Sequence, residues 1–519
     1  MDKVIATNGA ALRAKYGAAG WQRIQQAAGR MIAADGRRGI ISTLVLLDNA
    51  QDLTQFGAKP VPQVGDQQAT KEAIDQIFAK AKPAYLLILG GAEIVAFQEL
   101  TNSTPSDQDA NVPSDLPYAC TAKFGTNPRR FIAPSRVVGR LPDLVGVTDP
   151  DYLVELLDRS AKHKPRPASD YQQLFALSCD LWKSSTATSV ATLGLAPMTL
   201  FTSPPTKSPN PKARLKPRLH FINCHGADSD PSFYGENAAH TMPVSLSFSD
   251  LSGAVSMDTI VAAECCYGAQ LYDPVLATSH GLCLHYLDQG AIAFWGSSNI
   301  AWGPAHGNGQ ADLIAQYFLQ EVLRGASLGR AALAARQRFA RQASPALLPV
   351  DLKTLAQFVL LGDPSVHPIA LPATASTRER LAETALDDAA PSADRKQRRW
   401  LMEARAEQLE NSVRTVSKAV EAATGGFDTK LTTYAENLGL EMTAHRVYRI
   451  EESPTLTEKL GSVAAKARSH AAMAEPLVHA LVGRRAEQKK VLNRIPSYMI
   501  AYVFQYGDRL VKGPICFRR

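Results

Sequence analysis

The 519 residues carry 56 Lys and Arg against 49 Asp and Glu, a formal charge of +7, with 45% hydrophobic and 20% charged side chains. An interleaved excess of base this small is not the concentrated patch of a nucleic-acid surface, and no run approaches the roughly 20 apolar residues of a spanning helix; neither nucleic acid nor membrane insertion is expected. Seven scattered cysteines are too sparse for a secreted disulfide framework, and Met1-Asp2-Lys3-Val4 lacks the apolar stretch of a secretory leader, so the expected setting is a reducing cytoplasm, in a chain long enough for roughly two to four domains.

Leu12, Tyr16, Trp21, Ile24 and Ala28 recur at helical spacing, predicting a helix over 10–35. The β-branched run 39–47 predicts a central strand; a helix over 68–80 and a second strand over 84–89, stopped by Gly90-Gly91, follow. Strand, helix, strand implies a parallel sheet. Residues 101–117 have the Ser, Thr, Pro, Asn and Asp composition of a surface loop, 118–123 and 130–132 could pair as short strands, and 137–142 is extended. A helix with Asp149 as its cap and Pro150 at its first position closes this first unit. Lys162 to Pro167 reads as a stiff linker.

The second unit opens with a strand over 173–179 and a helix over 184–193, then a proline-rich loop over 203–212. Leu219 to Cys224 and Thr259 to Ala263 are apolar strands running into His225-Gly226 and into Glu264-Cys265-Cys266-Tyr267-Gly268. A helix over 274–287, a strand over 291–295, helices over 310–323 and 327–341 and a last strand over 358–364 complete the unit. Residues 373–519 turn rich in Ala, Glu, Lys and Arg. Helices are predicted over 377–386 and 396–423, the second with a stripe of Leu401, Ala404, Leu409, Val413 and Val416, and strands over 445–450 and 498–505.

If the strands before His225 and Cys265 are parallel neighbours, a histidine and a cysteine emerge together at their carboxyl ends, where open α/β sheets hold their sites. A thiol is mostly protonated at neutral pH and needs an imidazole or another cation nearby to act as a nucleophile. Gly226 lets the backbone approach a bound carbonyl, and its N–H with that of the cysteine could hold an oxyanion. Strand alternation sends Cys265 and Cys266 to opposite faces, so at most one of them is the nucleophile, against the alternative that both are small buried core residues. The same alternation argues against zinc at Cys224, His225, Cys265, Cys266, Cys283, His285 and His306, because structural zinc sites use close pairs on turns. No metal or cofactor is expected. The remaining histidines, His240 among them, show no convergent partners, and Trp302 is a candidate pocket wall.

His225-Gly226 and Glu264 to Gly268 resemble the caspase-like cysteine peptidases (caspases, legumains, clostripains and gingipains). Tyr85 to Gly91, Ser114-Asp115 with Tyr118, Val138 to Pro142, Ser298 to Pro304 and Leu361 to Ser365 resemble gingipain-type segments in the same order. The resemblance spans about 38–370. It implies an α/β fold: a caspase-like three-layer sandwich with a mostly parallel sheet, divided into a non-catalytic unit (1–165) and a catalytic unit (166–372); the mainly helical α+β region 373–519 is an addition to the family, either a charged helical face packed on the body or a regulatory arm that binds an activating or regulatory protein. The implied reaction is cleavage of protein substrates through a His-Cys dyad and a thioacyl-enzyme; the alternative is a catalytically idle caspase-like scaffold that recruits a partner through 373–519. His225 is the base; Glu-x-Cys as in legumains and Cys-x-Gly as in caspases select Cys266, whereas gingipain-like Cys-x-x-Gly selects Cys265. Cys266 is chosen, with Gly226 and Cys266 N–H groups as the oxyanion hole and Trp302, Asp180 and Glu264 as pocket residues. The stretch 183–189 lacks the acidic residue found in arginine-cutting gingipains, and Asp180 is the nearest carboxylate.

Overall fold

Ten strands form the main sheet: β1 Lys3–Thr7, β2 Ser42–Leu46, β3 Tyr85–Leu89, β4 Val138–Leu141, β5 Leu174–Cys179, β6 Leu200–Ser203, β7 Leu219–Asn223, β8 Thr259–Ala263, β9 Ala291–Ser297 and β10 Phe358–Leu361. This computed structural model describes every residue except 106, 196–198, 205–210, 278, 343–344, 371–391, 419–427, 460, 462–476, 486–497, 508 and 519, so the helix expected over 377–386 lies outside the described residues. The strand order is β2-β1-β3-β4-β10-β9-β8-β7-β5-β6. All neighbours are parallel except β9 and β10, which pair antiparallel from Phe294↔Leu361 to Ser297↔Phe358. The two predicted units therefore share one continuous sheet: β10 of the second unit pairs parallel with β4 of the first, and the antiparallel seam falls within the second unit, between β10 and β9. Strands on the two sides of that seam point to opposite edges, and the His and Cys strands end together on one of them.

Strands β3, β7 and β8 are buried along their whole length, as expected of near-continuous apolar runs in a sheet covered on both faces. On one face Phe221, Ala262 and Trp295 pack with residues of helices Gln310–Leu323, Leu328–Gln342 and Pro349–Gln357. On the other, Ile222, Val261 and Phe294 share a core with helices Gly9–Arg37, Asp151–Lys162 and Leu282–Asp288. The result is a three-layer α/β sandwich. Buried charge ties distant segments together: Lys3 Nζ lies 2.6 Å from Asp363 and 3.0 Å from Asp35, with all three side chains fully buried, and Arg140 grips Asp115 through bonds of 3.0 and 2.7 Å. Breaking such a pair leaves an uncompensated buried charge at a cost of about 3–5 kcal/mol.

Several local expectations are revised. Residues 101–117 are a loop only in part: 102–110 connect the strands of an antiparallel hairpin, Gln98–Thr101 and Asn111–Ser114, whose Leu100 and Val112 enter the core. Its alternation is too short to register as a strand pattern. Residues 118–123 and 130–132 do not pair as strands; 3-10 turns run over Leu116–Ala119 and Pro128–Phe131, each with a proline in its first turn. The helix expected over 396–423 runs over Ser392–Ser412 and gives way to a strand, β11 Arg414–Lys418, so Val413 and Val416 belong to no helical stripe. Strands β12 Leu440–Glu452, β13 Leu477–Arg485, β14 Tyr498–Tyr506 and β15 Arg509–Arg518 continue it. The last region is thus an antiparallel sheet, in the order β15-β14-β13-β12-β11, with described helices at Ser392–Ser412, Asp428–Asn437 and 454–459, rather than mainly helical. β15 also pairs with the two-residue strand Trp302–Gly303 of the main body.

Candidate active site

The parallel register of β8 on β7 (Ile260↔Leu219 through Ala263↔Ile222) sets the two loops that follow. Three residues beyond the last pair, His225 and Cys266 come level. The two loops touch at the backbone of Gly226 and Cys266: a Cβ on Gly226 would stand 1.8 Å from the Cys266 carbonyl oxygen, so only glycine lets the two strand ends close up. Cys266 sits on a tight turn, in which the Gly268 N–H donates to the Cys265 carbonyl (3.1 Å) and Tyr267 adopts φ 56°. The turn lifts Cys266 off the strand line at the sheet edge.

The two cysteines divide as alternation requires. Cys265 packs in the second-face core with Cys224, its thiol 3.9 Å from the Ile222 carbonyl, and burial pushes that thiol well above its ordinary pKa. Cys266 belongs to the first face, and the Ala301 N–H donates to its sulfur (3.3 Å). Burial, with Asp109, raises this thiol too, and the net direction is upward, although the Arg518 guanidinium, the Ala301 N–H and Lys353 offset part of the rise. Of the two, it is Cys266 that has cations among its neighbours.

His225 is fully enclosed at 1% exposure. Its backbone pairs with Tyr234 in both directions at 2.9 Å, which fixes the main chain, and its ring meets Trp182 edge-on with centroids 4.4 Å apart. Glu236, from the polar connection between β7 and β8, accepts from His225 Nε2 at 2.7 Å and from His240 Nδ1 at 2.6 Å. Burial would raise the Glu236 carboxyl, but hydrogen bonds from the two imidazoles outweigh it and hold the group below its usual value. A carboxylate at Nε2 keeps the proton on that nitrogen and leaves Nδ1 as the free lone pair. Nδ1 is buried without a hydrogen-bond partner.

The other expected site residues are placed as follows. Trp302 is 1% exposed; its Nε1 donates to Asp107 (2.8 Å), a carboxylate that also holds Lys353 at 2.5 Å. Asp180 is ion-paired with Lys183 (2.9 Å). Glu264 is fully buried and its N–H continues the ladder to Ile222 (2.8 Å), so it is part of the sheet end rather than of an open pocket. Glu236, Trp182 and the hairpin residues Asp107 to Asp109 escaped sequence reasoning. His240 does have a partner after all, Glu236, four residues before it. That His and Glu spacing, in a connection between two site strands, was the available signal.

A parallel sheet carrying a histidine and a cysteine side by side at the ends of adjacent strands is the layout of the caspase-like cysteine peptidases. Residues 240–369 match the family model described as Peptidase family C25, the gingipain branch of that class. The matched segment is that of a cysteine peptidase of the caspase-like type; it contains Cys265, Cys266 and Trp302 and begins after His225. No curated protein matches the chain. Among solved structures, the Saccharomyces cerevisiae separase–securin complex is similar with a TM-score of 0.29 and 12% identity, over 45% of this chain and 14% of that one. The chain thus spans about one seventh of that relative's length. Among the described residues no helix is long and apolar enough to cross a membrane.

Proposed function

We propose that the protein is a cysteine endopeptidase in which Cys266 is the nucleophile and His225 its base. What supports this reading is the contact of Gly226 with the Cys266 backbone, which brings the ends of the histidine and cysteine strands together at one sheet edge. In the proposed cycle His225 Nδ1 takes the thiol proton, the thiolate sulfur bonds to the scissile carbonyl carbon, and the N–H groups of Gly226 and Cys266 hold the oxyanion. The imidazolium then protonates the leaving amine as the C–N bond breaks. Water, deprotonated by the same imidazole, splits the thioacyl bond to a carboxylic acid and returns the thiol. Glu236 is a positioning residue here: its carboxylate fixes the tautomer and stabilises the imidazolium. All seven cysteines are free thiols, which supports work in a reducing, intracellular compartment.

The test is digestion of a peptide library read by mass spectrometry, with wild type, His225→Ala, Cys265→Ala and Cys266→Ala. Cleavage by wild type and Cys265→Ala, lost in the other two, is the expected result. Cleavage that survives in Cys266→Ala, or none by any form, overturns the reading.

A further inference from the structure

The strand Trp302–Gly303 flanks the candidate nucleophile, since Ala301 is the residue whose N–H meets the Cys266 sulfur at 3.3 Å. A strand edge beside a nucleophile is where an extended peptide would add by backbone pairing. In this molecule the edge is already taken. β15 lies antiparallel along it, Trp302 opposite Arg518 and Gly303 opposite Phe517. The Arg518 side chain turns onto the site: the residue is 7% exposed, its Nη1 donates to Gln108 at 2.9 Å, and its guanidinium sits against the Cys266 thiol. Cys266 is left with no exposure at all.

We propose that β15 is a built-in plug, which occupies the peptide-docking edge Trp302–Gly303 and caps Cys266 with Arg518, so that the site is closed until this strand end lifts. The inference rests on the peptidase reading and names its regulation. How the strand is held supports it. β15 is bound to β14 through seven register pairs but to the main body through only two. Beside that junction lies a cavity of about 750 Å³, lined in part by Pro304, Leu348, Pro514, Ile515 and Phe517. An interface with two backbone pairs and a void beside it separates far more readily than a seven-pair ladder. The end of β15 can therefore leave the edge while the sheet of β11 to β15 stays whole. The competitor that displaces it is an extended peptide presenting a strand to Trp302–Gly303, either a substrate or a partner segment.

The experiment uses the full chain and needs no known substrate. Cys266 alkylation by iodoacetamide at pH 8 is timed by mass-spectrometric peptide mapping in wild type, Arg518→Ala and Arg518→Glu, with cleavage of the peptide library followed in parallel. Removing the guanidinium also removes a group that lowers the thiol pKa, so any gain in rate must come from access. At least a tenfold faster Cys266 alkylation in both variants, reversed by adding a synthetic peptide of residues 509–518, is the expected result. Equal rates in wild type and variants overturn the plug. Faster alkylation without cleavage in any form upholds the plug and overturns the peptidase reading instead. Deeply buried Cys265 reports on integrity: if it reacts in an Arg518 variant the fold has opened, and Gln108→Ala, which removes only the acceptor of the arginine, then decides by the same tenfold criterion.

Discussion

His220 lies in the middle of β7, the strand that delivers His225, and it should make the protein lose stability on mild acidification. Its ring is fully buried, edge-on to Phe175 (centroids 5.0 Å apart) and Tyr286 (5.4 Å). The Pro217 carbonyl can only accept, so Nε2, 2.9 Å away, carries the proton; Nδ1 then accepts from the Tyr286 hydroxyl at 3.0 Å. Burial pushes the imidazole down from 6.5 to about 4. The unfolded chain takes up a proton near pH 6.5 that the folded one refuses until about pH 4. The stabilisation is complete above the unfolded value and disappears as pH falls through this window. At roughly 1.4 kcal/mol per pH unit the loss comes to about 3 kcal/mol, a large share of a typical folding free energy. Urea unfolding between pH 7 and 4.5, on wild type and His220→Phe, isolates it. The variant lacks both hydrogen bonds and starts less stable, so the slope is the readout: the wild-type decline should be steeper by up to about 3 kcal/mol over the full window. Parallel slopes would falsify the assignment of this acid sensitivity to His220.

Two further outcomes concern the site itself. Glu236→Gln keeps the shape but withdraws the charge facing His225 at 2.7 Å; hydrogen bonds to charged groups contribute about 1.5–3 kcal/mol. Peptide cleavage should therefore fall roughly 10- to 150-fold, in kcat rather than KM, with an altered pH profile, whereas a purely structural role would leave the profile of the residual activity where it was. Gly226→Ala places a methyl 1.8 Å from the Cys266 carbonyl and forces the strand ends apart. Overpacking of this kind costs about 1–3 kcal/mol, and a displacement of about 1 Å is enough for a 100-fold loss of activity; thermal melting and library cleavage measure the two, and an unshifted melting point with full activity would mean that the strand ends are not in contact.

Much of the sandwich was legible because its strands are buried on both faces and read as unbroken apolar runs: Ala84 to Leu89, Leu219 to Cys224 and Thr259 to Ala263 all appear within a residue or two of the observed strands. Lys3–Thr7 was missed, since five residues at the start of a chain, opened by a lysine, do not look like a central strand. Lys3 is buried there only because Asp35 and Asp363, far off in sequence, converge on it. The hairpin of Gln98–Thr101 and Asn111–Ser114 was hidden for a related reason. Its backbone carbonyls at Pro113 and Asn111 accept from Ser298 and Asn299, so a polar stretch that reads as a loop is held where the fold supplies hydrogen bonds instead of water. In the last region, the change from helix to strand at Val413 follows sheet pairing with β12, which outweighs the helical preference of the preceding residues.

By itself the sequence determined a mostly parallel α/β body and the placing of His225 and of Cys265 and Cys266 just beyond two apolar strands, since both follow from local rules: apolar runs make buried strands, and alternation sends neighbouring residues to opposite faces. Which groups surround that pair was decided only by tertiary structure. Glu236 behind the histidine, the hairpin carboxylates beneath Trp302, and Arg518 over the Cys266 thiol come from separate stretches of the chain. No local pattern encodes their meeting, because it depends on sheet order, on an antiparallel seam and on the strand Arg509–Arg518 taking up the edge beside Cys266.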